Sequence, residues 1–180
     1  DGKIVRAAIE SMKQHFSLGT IIIDMSSSAP IGTKSLGEEL VGAGFGFIDA
    51  PVSGGVKRAI DGTLAIMTGG DAKTIDRAEP VLQAMGKSVF RTGPLGSGHA
   101  AKALNNYVSA AGLAAAAEAV AIAERFGIDP NTLVDVLNAS TGRNNSTENK
   151  LKQFIISGKF NSGFSLALMA KDIRTAEDLA

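Results

Sequence analysis

The chain has 180 residues, 44% of them hydrophobic and 20% charged, which is enough to bury one or two cores. Its 18 basic and 18 acidic side chains cancel, so no basic stripe interleaved with aromatics marks nucleic acid as a partner. There is no cysteine, which excludes disulfides and thiolate metal sites. The two histidines, His15 and His99, have no suitably spaced carboxylates with which to hold a metal. Apolar stretches such as 113–123 are short and flanked by charge or glycine, so no membrane span is expected, and no signal-peptide pattern is visible. A soluble, cytoplasmic protein is the expectation.

The first element is a helix with Val5, Ala8, Ile9 and Met12 on one stripe and Phe16 closing it. Residues 20–25 form a β-branched run suited to a strand buried on both faces. Pro30 begins a helix to about Ala43, with Leu36, Leu40 and Val41 on its apolar side, and Gly44 and Gly46 end it. Strands are expected at 45–49, 64–68 and 88–91, with a helix between the last two, capped by Asp71 and ended by Gly86. Strands alternating with helices predict an α/β layer with a largely parallel sheet. After Gly98 the pattern turns all-helical. A long alanine-rich helix, 100–126, is expected to be buried, and Asp129 with Pro130 starts the next. Further helices are read at 132–138, 148–156 and 166–179. Because the sequence opens and closes within apparent helices, it reads as an internal fragment of a longer protein.

The segment Gly96-Ser97-Gly98-His99-Ala100-Ala101-Lys102-Ala103-Leu104-Asn105-Asn106 carries the clearest chemistry. Lys102 and Asn106 are one helical turn apart and so share a face. A lysine beside an amide on a wall of alanine suits proton transfer to a small polar substrate better than it suits a helix–helix contact. His99 shares that face, and can be read as a general base or as a capping or solvated residue. Ser53-Gly54-Gly55 follows the strand at 45–49 and can be read as a backbone nest for a carboxylate or as a plain loop. The run Asp24-Met25-Ser26-Ser27-Ser28-Ala29-Pro30 leaves a strand end, where ligands bind in open sheets, or else Ser28 simply caps a helix. Lys171-Asp172 lies on the last helix, and Arg143-Asn144-Asn145-Ser146 in a polar loop. Gly42, Gly44 and Gly46 follow a helix and precede a strand, the wrong order for a phosphate loop, and no usable GxGxxG occurs.

Taken in order, Asp24–Pro30, Asp49-Ala50-Pro51-Val52-Ser53-Gly54-Gly55, Gly96-x-Gly98-x-x-x-Lys102-x-x-Asn105-Asn106 and Lys171-Asp172 resemble the β-hydroxyacid dehydrogenase family over nearly the whole chain. That family includes 3-hydroxyisobutyrate dehydrogenases and tartronate semialdehyde reductases. The resemblance implies an α/β then all-α fold: a partial Rossmann-type domain (1–95) whose first βαβ unit is missing, then a connecting helix and part of an all-helical domain (96–180). It implies NAD or NADP as cofactor, a small hydroxy-acid or semialdehyde substrate, and a homodimer or homotetramer. By residue, it implies Lys102 as catalytic and Ser53, Gly54, Gly55 and Asn106 as substrate-binding. Ser27, standing where the family usually has threonine, and Lys171 would contact the cofactor. Related 6-phosphogluconate dehydrogenases usually place a histidine before the second asparagine. Asn105 stands there instead, which argues against a phosphosugar substrate. The alternatives are glyoxylate or succinic semialdehyde reduction, a sugar-acid dehydrogenase, or a non-catalytic dimerisation module.

Overall fold

The computed structural model describes residues 1–180, which divide into two compact units, Asp1–Ala103 with Leu179–Ala180, and Leu104–Asp178. In the first unit, α1 (Gly2–Met12) is capped by Asp1, whose carboxylate accepts the Lys3 N–H. The strands are β1 (Ile21–Asp24), β2 (Gly46–Asp49), β3 (Val52–Ser53), β4 (Leu64–Gly70) and β5 (Gly86–Gly93). Between them lie α2 (Pro30–Gly42), α3 (Gly55–Ile60) and α4 (Ala72–Met85). Asp71 caps α4 by accepting the Thr74 N–H, as its sequence position predicts. Ser28 does not cap α2. The residue before Pro30 is Ala29, with no side-chain cap, and the Ser28 hydroxyl pairs instead with that of Ser26 at 2.6 Å.

The sheet is mixed, not largely parallel. β1 pairs β2 and β4 pairs β5 in parallel, but β2 and β3 both run antiparallel to β4. The chain from Ile48 to Ser53 follows one edge of β4, pairing Ile48 with Gly70 and then Val52 with Ile66. Pro51 has no N–H to give the ladder, and its carbonyl still accepts from Met67. Two-residue β3 and six-residue α3 are too short to leave a periodic signal, and no element is expected between the strands at 45–49 and 64–68.

Alternation along β2 shows why the sheet is covered twice. Phe47 joins Ile9, Leu36 and Leu40 on one face, while Ile48 joins Ile66, Ile75, Ala78 and Leu82 on the other. Helices α1 and α2 therefore cover one face and α4 the opposite one. Phe16 meets Phe45 edge-on, with ring centroids 6.0 Å apart.

Helix α5 (Ser97–Phe126) begins in the first unit and continues through the second, which adds α6 (Pro130–Ala139), α7 (Asn145–Asn149), a π-helical turn (Leu151–Ile156) and α8 (Leu166–Glu177). Asp129 caps α6 through the Thr132 N–H with Pro130 at its first position. Asn144 and Thr147 form a reciprocal capping box on α7, so the polar loop 143–146 is a helix start. Ala116, Val120, Val134 and Leu151 form the core of this unit.

The expectation that α5 is buried does not hold. Leu104, Tyr107, Val108, Ile122 and Phe126 are each half or more exposed. A 30-residue helix is about 45 Å long, and the short helices of this unit cover only one of its sides. By length and composition α5 is also the one helix that could cross a membrane, a test that core helices pass as well.

Candidate functional site

The site begins where parallel strands end. Asp24 and Asp49 are register partners at the last positions of β1 and β2, and both are buried. Asp24 accepts the Ser26 N–H at 3.0 Å, which turns the chain into the loop 26–29. Ser26 and Ser28 are tied within that loop, and Ser27 between them is exposed.

Asp49 has a different task. Its Oδ1 accepts the Gly96 N–H and its Oδ2 the His99 N–H, each at 2.8 Å. The first N–H groups of a helix have no intrahelical acceptor, so Asp49 caps α5 from a strand far away in sequence. Burial pushes its carboxyl above the ordinary 3.8, opposed by the two backbone hydrogen bonds and by the nearby His99 ring. The fit depends on missing side chains. A Cβ on Gly98 would lie 2.4 Å from the Met67 carbonyl and 2.8 Å from Asp49 Oδ2, and one on Gly69 would lie 2.6 Å from Asp49 Oδ1.

His99 is not solvated. It is 1% exposed, with Nε2 3.0 Å from the Ser26 carbonyl and Nδ1 2.8 Å from the Thr33 hydroxyl. A carbonyl only accepts, so Nε2 carries the hydrogen that it donates. Lys102 follows one turn later on the same helix, half-buried, next to the buried Ala103.

Ser53 closes β3, and Gly54 and Gly55 follow with φ of 139° and 66°. Both lie where L side chains are strained, which is what the expected turn demands of its glycines. A Cβ on Gly54 would also strike Arg58, whereas the space beside Gly55 is open. Lys57 and Arg58 on α3 add positive charge near this turn.

In the second unit, Asn106 and Lys171 converge on one carboxylate. Asn106 donates to Asp172 Oδ2 at 2.6 Å, and Lys171 Nζ lies 3.0 Å from Asp172 Oδ1. Asp172 is buried, while Lys171 is about a third exposed. The Asn106 side-chain Oδ1 accepts from the Asn105 side-chain amide at 3.1 Å. Of the groups that hold this architecture, Asp49, His99 and Asp172 are not among the expected site residues. Asp49 and Asp172 each stand inside a motif, but nothing in spacing alone says that a carboxylate will cap a helix encoded far away.

Two family models match. The NAD binding domain of 6-phosphogluconate dehydrogenase matches residues 1–93, and the NAD-binding region of NADP-dependent 3-hydroxyisobutyrate dehydrogenase matches residues 96–180. The chain belongs to the β-hydroxyacid dehydrogenase family. Among this family, it is 38% identical over 158 residues to 2-(hydroxymethyl)glutarate dehydrogenase of Eubacterium barkeri, covering 88% of this chain and 52% of that protein. It is 38% identical over 168 residues to the mitochondrial 3-hydroxyisobutyrate dehydrogenase of Bos taurus, covering 90% and 50%. A solved structure of Mycobacterium tuberculosis 3-hydroxyisobutyrate dehydrogenase with L-serine matches with TM-score 0.90 and 36% identity, covering 99% of this chain and 63% of that one. The chain thus spans about half the length of the curated β-hydroxyacid dehydrogenases it matches.

Proposed function

We propose that the chain belongs to an enzyme that uses NAD or NADP to interconvert a small 2- or 3-hydroxy acid and its keto acid or semialdehyde. The observation that carries this reading is the placement of Lys102 one turn beyond the Asp49-capped start of α5. The unit that holds it also contains Ser27 and the Ser53-Gly54-Gly55 turn. The compounds named with these relatives share one chemical pattern: in hydroxyisobutyrate, hydroxymethylglutarate and the L-serine of the solved structure, one carbon bears both a carboxylate and a CH₂OH group. That pattern favours a 3-hydroxy acid.

The residues present fit the nicotinamide end of the cofactor: Ser27 is exposed at the C-terminal end of β1, where ligands of open sheets bind. The glycine fingerprint that would hold the pyrophosphate is not in this sequence. When bound, the cofactor supplies or accepts the hydride. Ser53 and the N–H groups of Gly54 and Gly55 hold the substrate carboxylate. Lys102 gives a proton to the carbonyl oxygen as it is reduced, and takes it back from the hydroxyl in the other direction. Asn106 orients the substrate and Lys171 contacts the cofactor, both steadied by Asp172. The uncovered apolar residues of α5, Leu104, Tyr107, Val108 and Ile122, support assembly with a second copy.

The test is a nicotinamide absorbance assay of the full-length protein against a panel of hydroxy acids and semialdehydes, with each cofactor. Turnover of a β-hydroxymethyl carboxylate supports the reading. No turnover of any panel member with either cofactor overturns it.

A further inference from the structure

His99 occupies an unusual position for a residue without an assigned role. Its backbone N–H is held by Asp49 on β2, while its ring reaches the Ser26 carbonyl, immediately before the exposed Ser27. Its other ring nitrogen meets Thr33 on α2. One residue thus ties the first turn of α5 to a strand end, to the loop carrying Ser27 and to a second helix. Gly98 brings that turn as close to β4 as an unsubstituted backbone allows, since a Cβ there would lie 2.4 Å from the Met67 carbonyl. A helix seated so tightly can neither slide nor rotate without breaking the Asp49 bonds and the His99 ring bonds together. Lys102 lies one turn further on the same face, so its register on the helix follows that of His99.

We propose that His99 is a positioning residue: held by Asp49 and Thr33, it fixes Lys102 relative to the Ser27 loop, and so aligns the proton-transfer group with the cofactor end of the site. This rests on the reading of Lys102 as the acid–base group. It assigns His99 a function without direct contact with substrate, in place of either general base catalysis or a solvated helix start. Misplacing a reacting group by an ångström can cost about 100-fold in rate while leaving binding intact, which sets the scale of the effect.

The experiment is a double-mutant cycle in the full-length protein, with His99→Gln, Lys102→Ala and the pair. We expect His99→Gln to lower kcat by about 10–100-fold, with KM changed by less than about threefold, and to cause no further loss on the Lys102→Ala background. An equal loss on both backgrounds, or no loss on either, overturns the proposal. Near-normal turnover by Lys102→Ala alone overturns the acid–base reading and the proposal with it, and is recognisable as that separate failure. Thr33→Val, which puts a methyl in place of the hydroxyl that faces both His99 Nδ1 and the Ala29 carbonyl, is the gentler variant should His99→Gln fold poorly. It should lower kcat several-fold, with Thr33→Ser restoring it, and equal rates for both substitutions contradict the account. A readout that needs no turnover is the side-chain NMR signal of Lys102 in lysine-labelled protein, assigned by its loss in Lys102→Ala. It should shift in His99→Gln, and an unmoved signal overturns the proposal.

Discussion

The carboxylate of Asp49 holds the backbone N–H of His99 at 2.8 Å, across 50 positions of sequence, and takes that of Gly96 with its other oxygen. An asparagine at this position keeps only one acceptor oxygen and turns an NH₂ toward the other donor. Asp49→Asn should therefore destabilise the fold by about 1–3 kcal/mol, the cost of leaving a buried N–H unsatisfied. Denaturant unfolding measures it, and a neutral substitution would show that α5 finds its cap elsewhere.

Gly98 makes a sharper steric test. In an ordinary helix, glycine to alanine is a gain of about 1 kcal/mol. Here the added Cβ would meet the Met67 carbonyl at 2.4 Å and Asp49 Oδ2 at 2.8 Å. Gly98→Ala should instead lose about 1–3 kcal/mol by overpacking. A rise in unfolding midpoint would mean that α5 sits less tightly on β4 than described.

Asn106 and Asp172 give a prediction of sign. Asn106→Ala removes one donor from a buried carboxylate that also meets Lys171. Asn106→Asp places a second carboxylate 2.6 Å from the first, where like charges repel. The aspartate variant should have the lower Tm at neutral pH and recover towards the alanine variant in acid, as one carboxyl takes up a proton. Equal Tm values at both pH values would exclude this contact.

Lys150 lines an apolar cavity of about 500 Å³ in the second unit, together with Leu113, Phe154, Phe160 and Met169. Burial lowers its pKa below the ordinary 10.5, so the unfolded chain binds its proton more readily than the folded one. Stability from this residue therefore rises with pH up to about 10.5, and below the folded pKa its charge is a net cost. Lys150→Met should raise Tm at pH 7, with the gain vanishing as pH approaches 10.5. Thermal melts across that range measure it, and a gain that does not depend on pH would point to packing alone.

Much of the fold was legible from local chemistry. Asp71, Asp129 and Gly127 mark helix ends because caps act over one turn, and the structure keeps all three in those places. The strand expected at 45–49 forms at Gly46–Asp49, and the structure adds that its Phe47 and Ile48 enter opposite cores, because side chains point alternately to the two sides. What local patterns could not show was direction and distance. Nothing in residues 64–70 says that β4 meets β2 antiparallel, since pairing direction depends on how α3 returns the chain. Nor does a buried Asp49 announce which helix it caps. His99 illustrates the same limit: its spacing from Lys102 was visible, but its partners Thr33 and Ser26 lie 66 and 73 positions away. The candidate site shows the divide clearly, with the Ser53-Gly54-Gly55 conformations anticipated from glycine's freedom and the supporting Asp49, His99 and Asp172 contacts supplied only by tertiary structure.

The most direct test of the account is the turnover of Lys102→Ala in the full-length protein, measured with the best substrate of the panel at saturating cofactor. The account predicts a kcat lower by about 100- to 10,000-fold, the usual contribution of a positioned acid–base group, with cofactor affinity unchanged. A kcat within threefold of the unsubstituted enzyme would contradict it.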